Sequence, residues 1–222
     1  MNKFLRTAGV LSILSGLLGM FSYALLLIGS GSILVPMPVS PGEIIDLYSR
    51  SIVQSSVFAN FFSILFIFPA IIGMGLILQK KSHAIAVHGS IFGLLGFICL
   101  LIQNILEIGV INVVTGHEPC ATGVSRESFA VILYNIDQFF MLPALILTGT
   151  FYLLFGLGFR KFLGLGKWVG RTFLIEVVLL LLTILFFVVQ KEMPASLGII
   201  AQALATGIAY ILAGAVLIRT GK

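Results

Sequence analysis

The chain has 222 residues, 59% of them hydrophobic and only 9% charged, with a formal net charge of +5. Soluble domains run near a quarter charged, so a water-soluble fold is excluded. The basic excess does not call for a nucleic-acid partner, because its distribution follows a membrane topology.

The apolar residues come in continuous runs of about 20, enough to cross a ~30 Å hydrocarbon core as a helix. They do not alternate with the period of two that a barrel strand needs. The first run covers 7–34. It follows MNKFLR as a signal sequence would, but exceeds the ~7–15 residues of a signal core and reads as a retained helix. Ser12, Ser15, Gly16, Gly19 and Ser22 lie along one side of it, where small residues let helix backbones approach. Beyond it, SPGE at 40–43 places Ser40 at an N-cap, Pro41 at the first helical position and Glu43 three residues after the cap. Ile44, Ile45 and Tyr48 then line one side of a short helix, expected to lie on the outer membrane face.

The second run, 57–79, contains Asn60 and Pro69. The third, 84–114, has Gly89 and Gly93 early and LLIQNILEIGVIN at 100–112. The fourth, 129–159, follows a capping Ser125 and carries Tyr134, Asn135, Asp137, Gln138, Met141 and Pro143. The fifth, 172–190, is apolar over 177–189 apart from Thr183 and is expected to face lipid. Glu176 near its start is expected to snorkel toward Arg171. The sixth, 195–218, is opened by Pro194 and bears a polar stripe of Gln202, Thr206 and Tyr210. The fold class is therefore all-α: a polytopic membrane protein with one domain over 1–222, a bundle of six transmembrane helices.

The cations sort by side. Lys3, Arg6, Lys80, Lys81, Arg160, Lys161, Lys167, Arg171, Arg219 and Lys222 fall at one side, and only Arg50, Arg126 and Lys191 at the other. Short loops rich in Lys and Arg stay in the cytoplasm, which predicts both termini cytoplasmic and a cell-membrane location. The lipid bilayer, with its anionic inner leaflet, is partner enough for this charge. Oligomeric state leaves no signature in the sequence.

A polar cluster interrupts the third and fourth runs. Glu107 lies 26 residues above Lys81, and Asp137 lies 23 residues before Arg160. At 1.5 Å per residue these are roughly 39 and 35 Å, so two carboxylates on consecutive antiparallel helices reach nearly one level. Gln103 and Asn104 precede Glu107 by four and three residues and share its side of the helix. Asn135 and Gln138 flank Asp137, and Asn60 rises roughly 30 Å from Lys80, close enough to join the rim. Pro69 and Pro143 each remove one backbone hydrogen bond, freeing the carbonyls of Leu65 and Phe139 and inviting a cavity or hinge.

Ionisable groups at membrane depth are costly and mark function by default. Paired acids can share a proton, coordinate a cation or meet an amine. The candidate ligand-binding set is Glu107, Asp137, Gln103, Asn104, Asn135, Gln138 and Asn60. A structural role fits the same residues, each bonded to its neighbours at about 1 kcal/mol per hydrogen bond.

Other features carry less. His83 and His88, five apart, fall on different helix faces and suggest neither metal nor haem. HEPC at 117–120 lacks the ligand number for zinc. GLGKWVG at 164–170 lacks the spacing of a phosphate loop, and Trp168 suits an interfacial anchor. Cys99, mid-span, and Cys120, in a loop, are too far apart for a disulfide. No nucleophile–base set is discernible, so no catalytic residue, metal or cofactor is expected.

Three stretches, RTAGVLSILSGLLGMFSY, LVPMPVSPGEIIDLYSRSIVQSSVFANFF and GTFYLLFGLGFRKFLGLGKWVG, resemble a family of six-span prokaryotic integral membrane proteins catalogued only as a domain of unknown function. The resemblance spans nearly the whole chain. It implies the six-span fold and brings no functional residues with it.

The preferred expectation is binding or transport of a small cationic or protonatable ligand in an outward-facing polar pocket. The alternatives are an integral membrane enzyme acting on a lipid-like substrate at the outer leaflet, and a structural or accessory membrane protein.

Overall fold

The computed structural model describes residues 1–30, 40–116, 125–188 and 192–221. They form seven helices: α1 (Asn2–Ser30), α2 (Pro41–Ser49), α3 (Ser51–Gln79), α4 (His83–Val114), α5 (Arg126–Phe159), α6 (Leu165–Val188) and α7 (Glu192–Thr220). All except α2 are long and apolar enough to cross a membrane. The outward faces confirm the solvent they meet. Phe139 is 80% exposed and Leu181 61%, whereas side chains of this size are covered in a soluble core. The chain is an all-α, multi-pass membrane protein.

The six long helices form a ring in chain order. Each of α1, α3, α4, α5 and α6 packs on the next, and α7 closes the ring by packing on α1. Both termini lie at the same end, where Arg6 Nε donates to the Gly221 carbonyl at 2.9 Å and caps the last turn of α7. Lys80, Lys81, Arg160 and Lys161 follow the ends of α3 and α5 and make this the basic end. There the Lys81 ammonium sits 4.4 Å from the centre of the Phe162 ring. Trp168 is half exposed under the Arg171 guanidinium, as an interfacial anchor should be.

Small residues decide which helices meet. Ser15 and Ser63 each donate to the other's backbone carbonyl at 2.8 Å. Ser22 and Ser56 repeat the exchange at 3.0 and 2.9 Å. The seven-residue offset on both helices makes two rungs between antiparallel α1 and α3, each bond worth about 1 kcal/mol in a bilayer. Between α1 and α7 the backbones themselves touch. A Cβ built on Gly9 would stand 2.7 Å from the Gly214 carbonyl oxygen, and one on Gly16 would stand 2.5 Å from that of Gly207. On α4, Gly89 and Gly93 receive the rings of Phe155 and Phe151.

Several boundaries differ from the hydropathy reading. α1 starts at Asn2, α3 at Ser51 and α6 at Leu165, earlier than the expected 7, 57 and 172. Hydropathy locates the segment immersed in hydrocarbon, whereas helical hydrogen bonding continues into the wet turns beyond it. α4 and α5, with 32 and 34 residues, measure roughly 48 and 51 Å and outreach a ~30 Å core. Pro69 and Pro143 lie inside continuous helices. HEPC at 117–120, with Cys120, lies outside the described residues. Cys99 is a free thiol.

α2 departs from its expected place. Its Ser40 cap forms as read, with Ser40 Oγ accepting from Glu43 N at 3.3 Å and Glu43 Oε2 accepting from Ser40 N at 3.2 Å. Its apolar face, however, does not look toward lipid. Ile44 and Tyr48 are buried over the end of the bundle among Val53, Val57, Val110, Ile111, Val113 and Ala130. Arg50, just after α2, donates to the Gly29 carbonyl at 2.9 Å and so caps α1 from the same lid.

Candidate functional site

Two packed clusters fill the ring. An aromatic one (Phe97, Phe151, Tyr152, Phe155, Phe159, Phe173) occupies the half toward the basic end, and the α2-covered one closes the other end. The acids of α4 and α5 belong to the α2 end.

Glu107 is held from two directions. Tyr48 of α2 donates to its Oε1 at 3.0 Å, and Asn104, one turn earlier on α4, donates to its Oε2 at 3.3 Å. Asp137 is buried on α5, 4% exposed, and accepts from its neighbour Gln138 at 3.0 Å. Gln103 bridges the two helices, its amide donating to the Asp137 backbone carbonyl at 3.3 Å. Tyr48 also meets Tyr134 edge-on, ring centres 6.4 Å apart, so α2, α4 and α5 converge on one spot.

Acceptors dominate this spot. Asn104 Oδ1 and Asp137 Oδ1 are both buried, and neither has a hydrogen-bond partner. No Lys or Arg pairs with either acid among the described residues, where the single salt bridge is Arg50–Asp46 on the exposed side of α2. One oxygen of the Asp137 carboxylate and the Asn104 amide oxygen therefore await donors beside two uncompensated acids, and a donor-rich cation satisfies both demands at once.

Of the seven candidate residues, Glu107, Asp137, Gln103, Asn104 and Gln138 come together. Asn135 does not, since it is exposed on the outer side of α5. Asn60 is half-buried on α3, and no hydrogen bond ties it to the cluster among the described residues. The site thus lies between α4 and α5 under α2, with α3 and α7 outside it.

Tyr48 is the residue that sequence reasoning missed. Its signal was present, as the one hydroxyl on the apolar face of a capped helix, but that face was assigned to the membrane. Burial, and then the Glu107 carboxylate beside it, push the Tyr48 phenol well above its ordinary value of 10.0. It therefore stays a donor at neutral pH. Its contribution to docking α2 is complete below the ordinary phenol value and is lost only as pH rises beyond it. Tyr48→Phe keeps the ring and removes the donor. A hydrogen bond to a charged acceptor contributes about 1.5–3 kcal/mol, so amide hydrogen exchange in α2 is expected to quicken by roughly tenfold or more. Unchanged exchange in α2 would mean that the lid is held by its apolar face alone.

Glu176 is a correction. It does not snorkel toward Arg171, whose guanidinium stacks 4.8 Å over the Trp168 ring. Glu176 is 0% exposed and faces inward. The Gln202–Thr206–Tyr210 stripe divides similarly: the Tyr210 hydroxyl meets that of Tyr152 at 2.8 Å, deep in the aromatic half. At the basic end, a separate cleft of about 190 Å³ opens between Met1, Leu5, Leu76, Lys80, Lys81 and Phe162. It is mainly apolar and contains none of the acids.

No family model, no curated protein and no solved structure matches this chain. The chemistry of the site rests on its own geometry.

Proposed function

We propose that this protein binds a small cationic or protonatable ligand at the Glu107–Asp137 site, from the outside of the cell membrane, and passes it toward the bundle interior. The observation that carries the reading is the imbalance of the site: two acids, with one oxygen of Asp137 and the Asn104 amide oxygen buried and unpartnered, and no cation beside them among the described residues. Glu107 and Asp137 supply charge, Asn104 and Gln138 orient it, and Gln103 fixes the spacing of α4 and α5. Tyr48 covers the site. An ammonium group with two or three N–H donors suits this set better than an anion or a neutral sugar.

The orientation follows from the charges. Ten cations gather at or near the ends that carry the termini, against three at the other side, so both termini are cytoplasmic and the α2 lid is external.

Solvent access tests it. In a background with Cys99→Ser and Cys120→Ser, Glu107→Cys and Asp137→Cys are treated in intact cells with a membrane-impermeant thiol reagent. Both positions are expected to label. Protection of both, in protein that is folded and inserted, would make the cluster a sealed helix clamp and end the binding reading.

A further inference from the structure

All the buried side-chain polar atoms without a hydrogen-bond partner, among the described residues, belong to four side chains: Glu176, Thr183, Asn104 and Asp137. They climb the bundle. Glu176 stands 11 residues into α6, roughly 16 Å above its start, and Thr183 roughly 27 Å. Asn104 and Asp137 follow at roughly 31 and 33 Å from the basic ends of α4 and α5. Glu176 is thus the member nearest the basic end, four residues or roughly 6 Å past residue 172, where the apolar run begins.

Its surroundings are closed. Tyr152 of α5, Phe173 of α6 and Tyr210 of α7 form an aromatic wall, with Tyr152 and Phe173 stacked at 5.6 Å and Phe173 edge-on to Tyr210 at 6.2 Å. The titratable groups within electrostatic reach of Glu176 are Tyr152, Tyr210 and, from α1, Tyr23, which is also within reach of Glu107. The Tyr152 and Tyr210 hydroxyls are engaged with each other, and Ser12 donates to the Tyr210 carbonyl at 2.7 Å. Thr206 is the uncharged polar neighbour. Beyond the Thr206 hydroxyl beside it, the Glu176 carboxyl has no close hydrogen-bond partner, and it forms no salt bridge among the described residues.

An unpaired carboxylate in such surroundings costs several kcal/mol even after relaxation, so the charge must be neutralised there. A hard metal ion takes about six oxygens, whereas this place offers two carboxyl oxygens and one hydroxyl. Among the described residues no three metal-binding side chains gather anywhere. A proton is the ligand that fits.

We infer that Glu176 is a proton-binding site in the membrane interior, distinct from the Glu107–Asp137 site and in exchange with water. A hydronium ion delivers its proton to one Glu176 oxygen and leaves as water; release reverses the step. The Thr206 hydroxyl is the uncharged group beside the acid form, and Thr183, a further seven residues along the same buried stripe of α6, is the next polar group toward the α2 end.

Infrared difference spectroscopy of the reconstituted full chain tests this directly. Wild type minus Glu176→Gln is expected to show the carbonyl stretch of one protonated carboxyl. That band should fall in intensity as pH is raised and move to lower frequency in D2O. Glu176→Asp should keep a band with a displaced pH midpoint, which covers the case in which Glu176→Gln fails to fold. Absence of the band would overturn the inference. So would a band that neither titrates over the pH range of the folded protein nor exchanges in D2O. Glu107→Gln with Asp137→Asn should leave the Glu176 band in place, so failure of the outer site and failure of this one are separate results.

Discussion

Glu107→Gln combined with Asp137→Asn is expected to weaken binding of a small organic cation by roughly thirtyfold or more, because losing a desolvated charge partner costs about 2–5 kcal/mol. The probe is n-butylammonium, added to the detergent-solubilised protein during thermal unfolding, with tetraethylammonium, which has no N–H donor, as the comparison expected to bind more weakly. A ligand at a hundred times its Kd stabilises the folded state by about 2.7 kcal/mol, which is readily seen as a rise in Tm. The double variant should show no such rise. Its fold should survive, because an amide oxygen at 107 still accepts from Tyr48 and one at 137 still accepts from Gln138. If n-butylammonium does not shift the wild type, or shifts the double variant equally, the acids are not a cation site. A loss of stability without ligand would point instead to a helix clamp.

The second large effect concerns the seam that closes the ring. Gly16→Ala places a methyl 2.5 Å from the Gly207 carbonyl oxygen, on a backbone that has no side chain to move aside. Overpacking of this kind costs about 1–3 kcal/mol, and Gly16→Leu should exceed that by forcing α1 and α7 apart. Gly42→Ala is the matched control. A Cβ there meets nothing within 4 Å, and it sits inside α2, so it should stabilise by about 0.5–1 kcal/mol. Opposite signs for the two substitutions, measured as unfolding midpoints in one detergent, would establish the backbone contact. Equal small effects would show that α1 and α7 do not meet along these glycines.

How much of this was legible in the sequence depends on the range of the interaction. The long helices follow from unbroken apolar runs, a local property. The pairing of Asn104 with Glu107 follows from a spacing of three, and the shared level of Glu107 and Asp137 from counting residues along antiparallel neighbours. The dismissal of Asn60 and Asn135 was not legible, because it depends on helix rotation within the ring. Nor was the docking of α2: an amphipathic turn reads the same whether its apolar side meets lipid or protein. Glu176 is the instructive case. Val169, Phe173, Glu176, Leu180 and Thr183 are all buried and recur at intervals of four and three. That period was in the sequence and groups Glu176 with Phe173 and Leu180 on one inward stripe. The proximity of Arg171 along the chain obscured it.

Closure by the first and last helices has a consequence for how the protein is made. α1 and α3 can join through their serine rungs as soon as both are synthesised, but α7 follows all five other long helices in the chain. Until it is in place, Ser12, Tyr152 and Glu176 lack their α7 neighbours and stand open toward lipid, marking the nascent chain as incomplete to any protease or chaperone that samples the bilayer. A chain truncated before α7 should therefore be degraded rather than accumulate, because the 29 residues of α7, Glu192–Thr220, are what cover these groups.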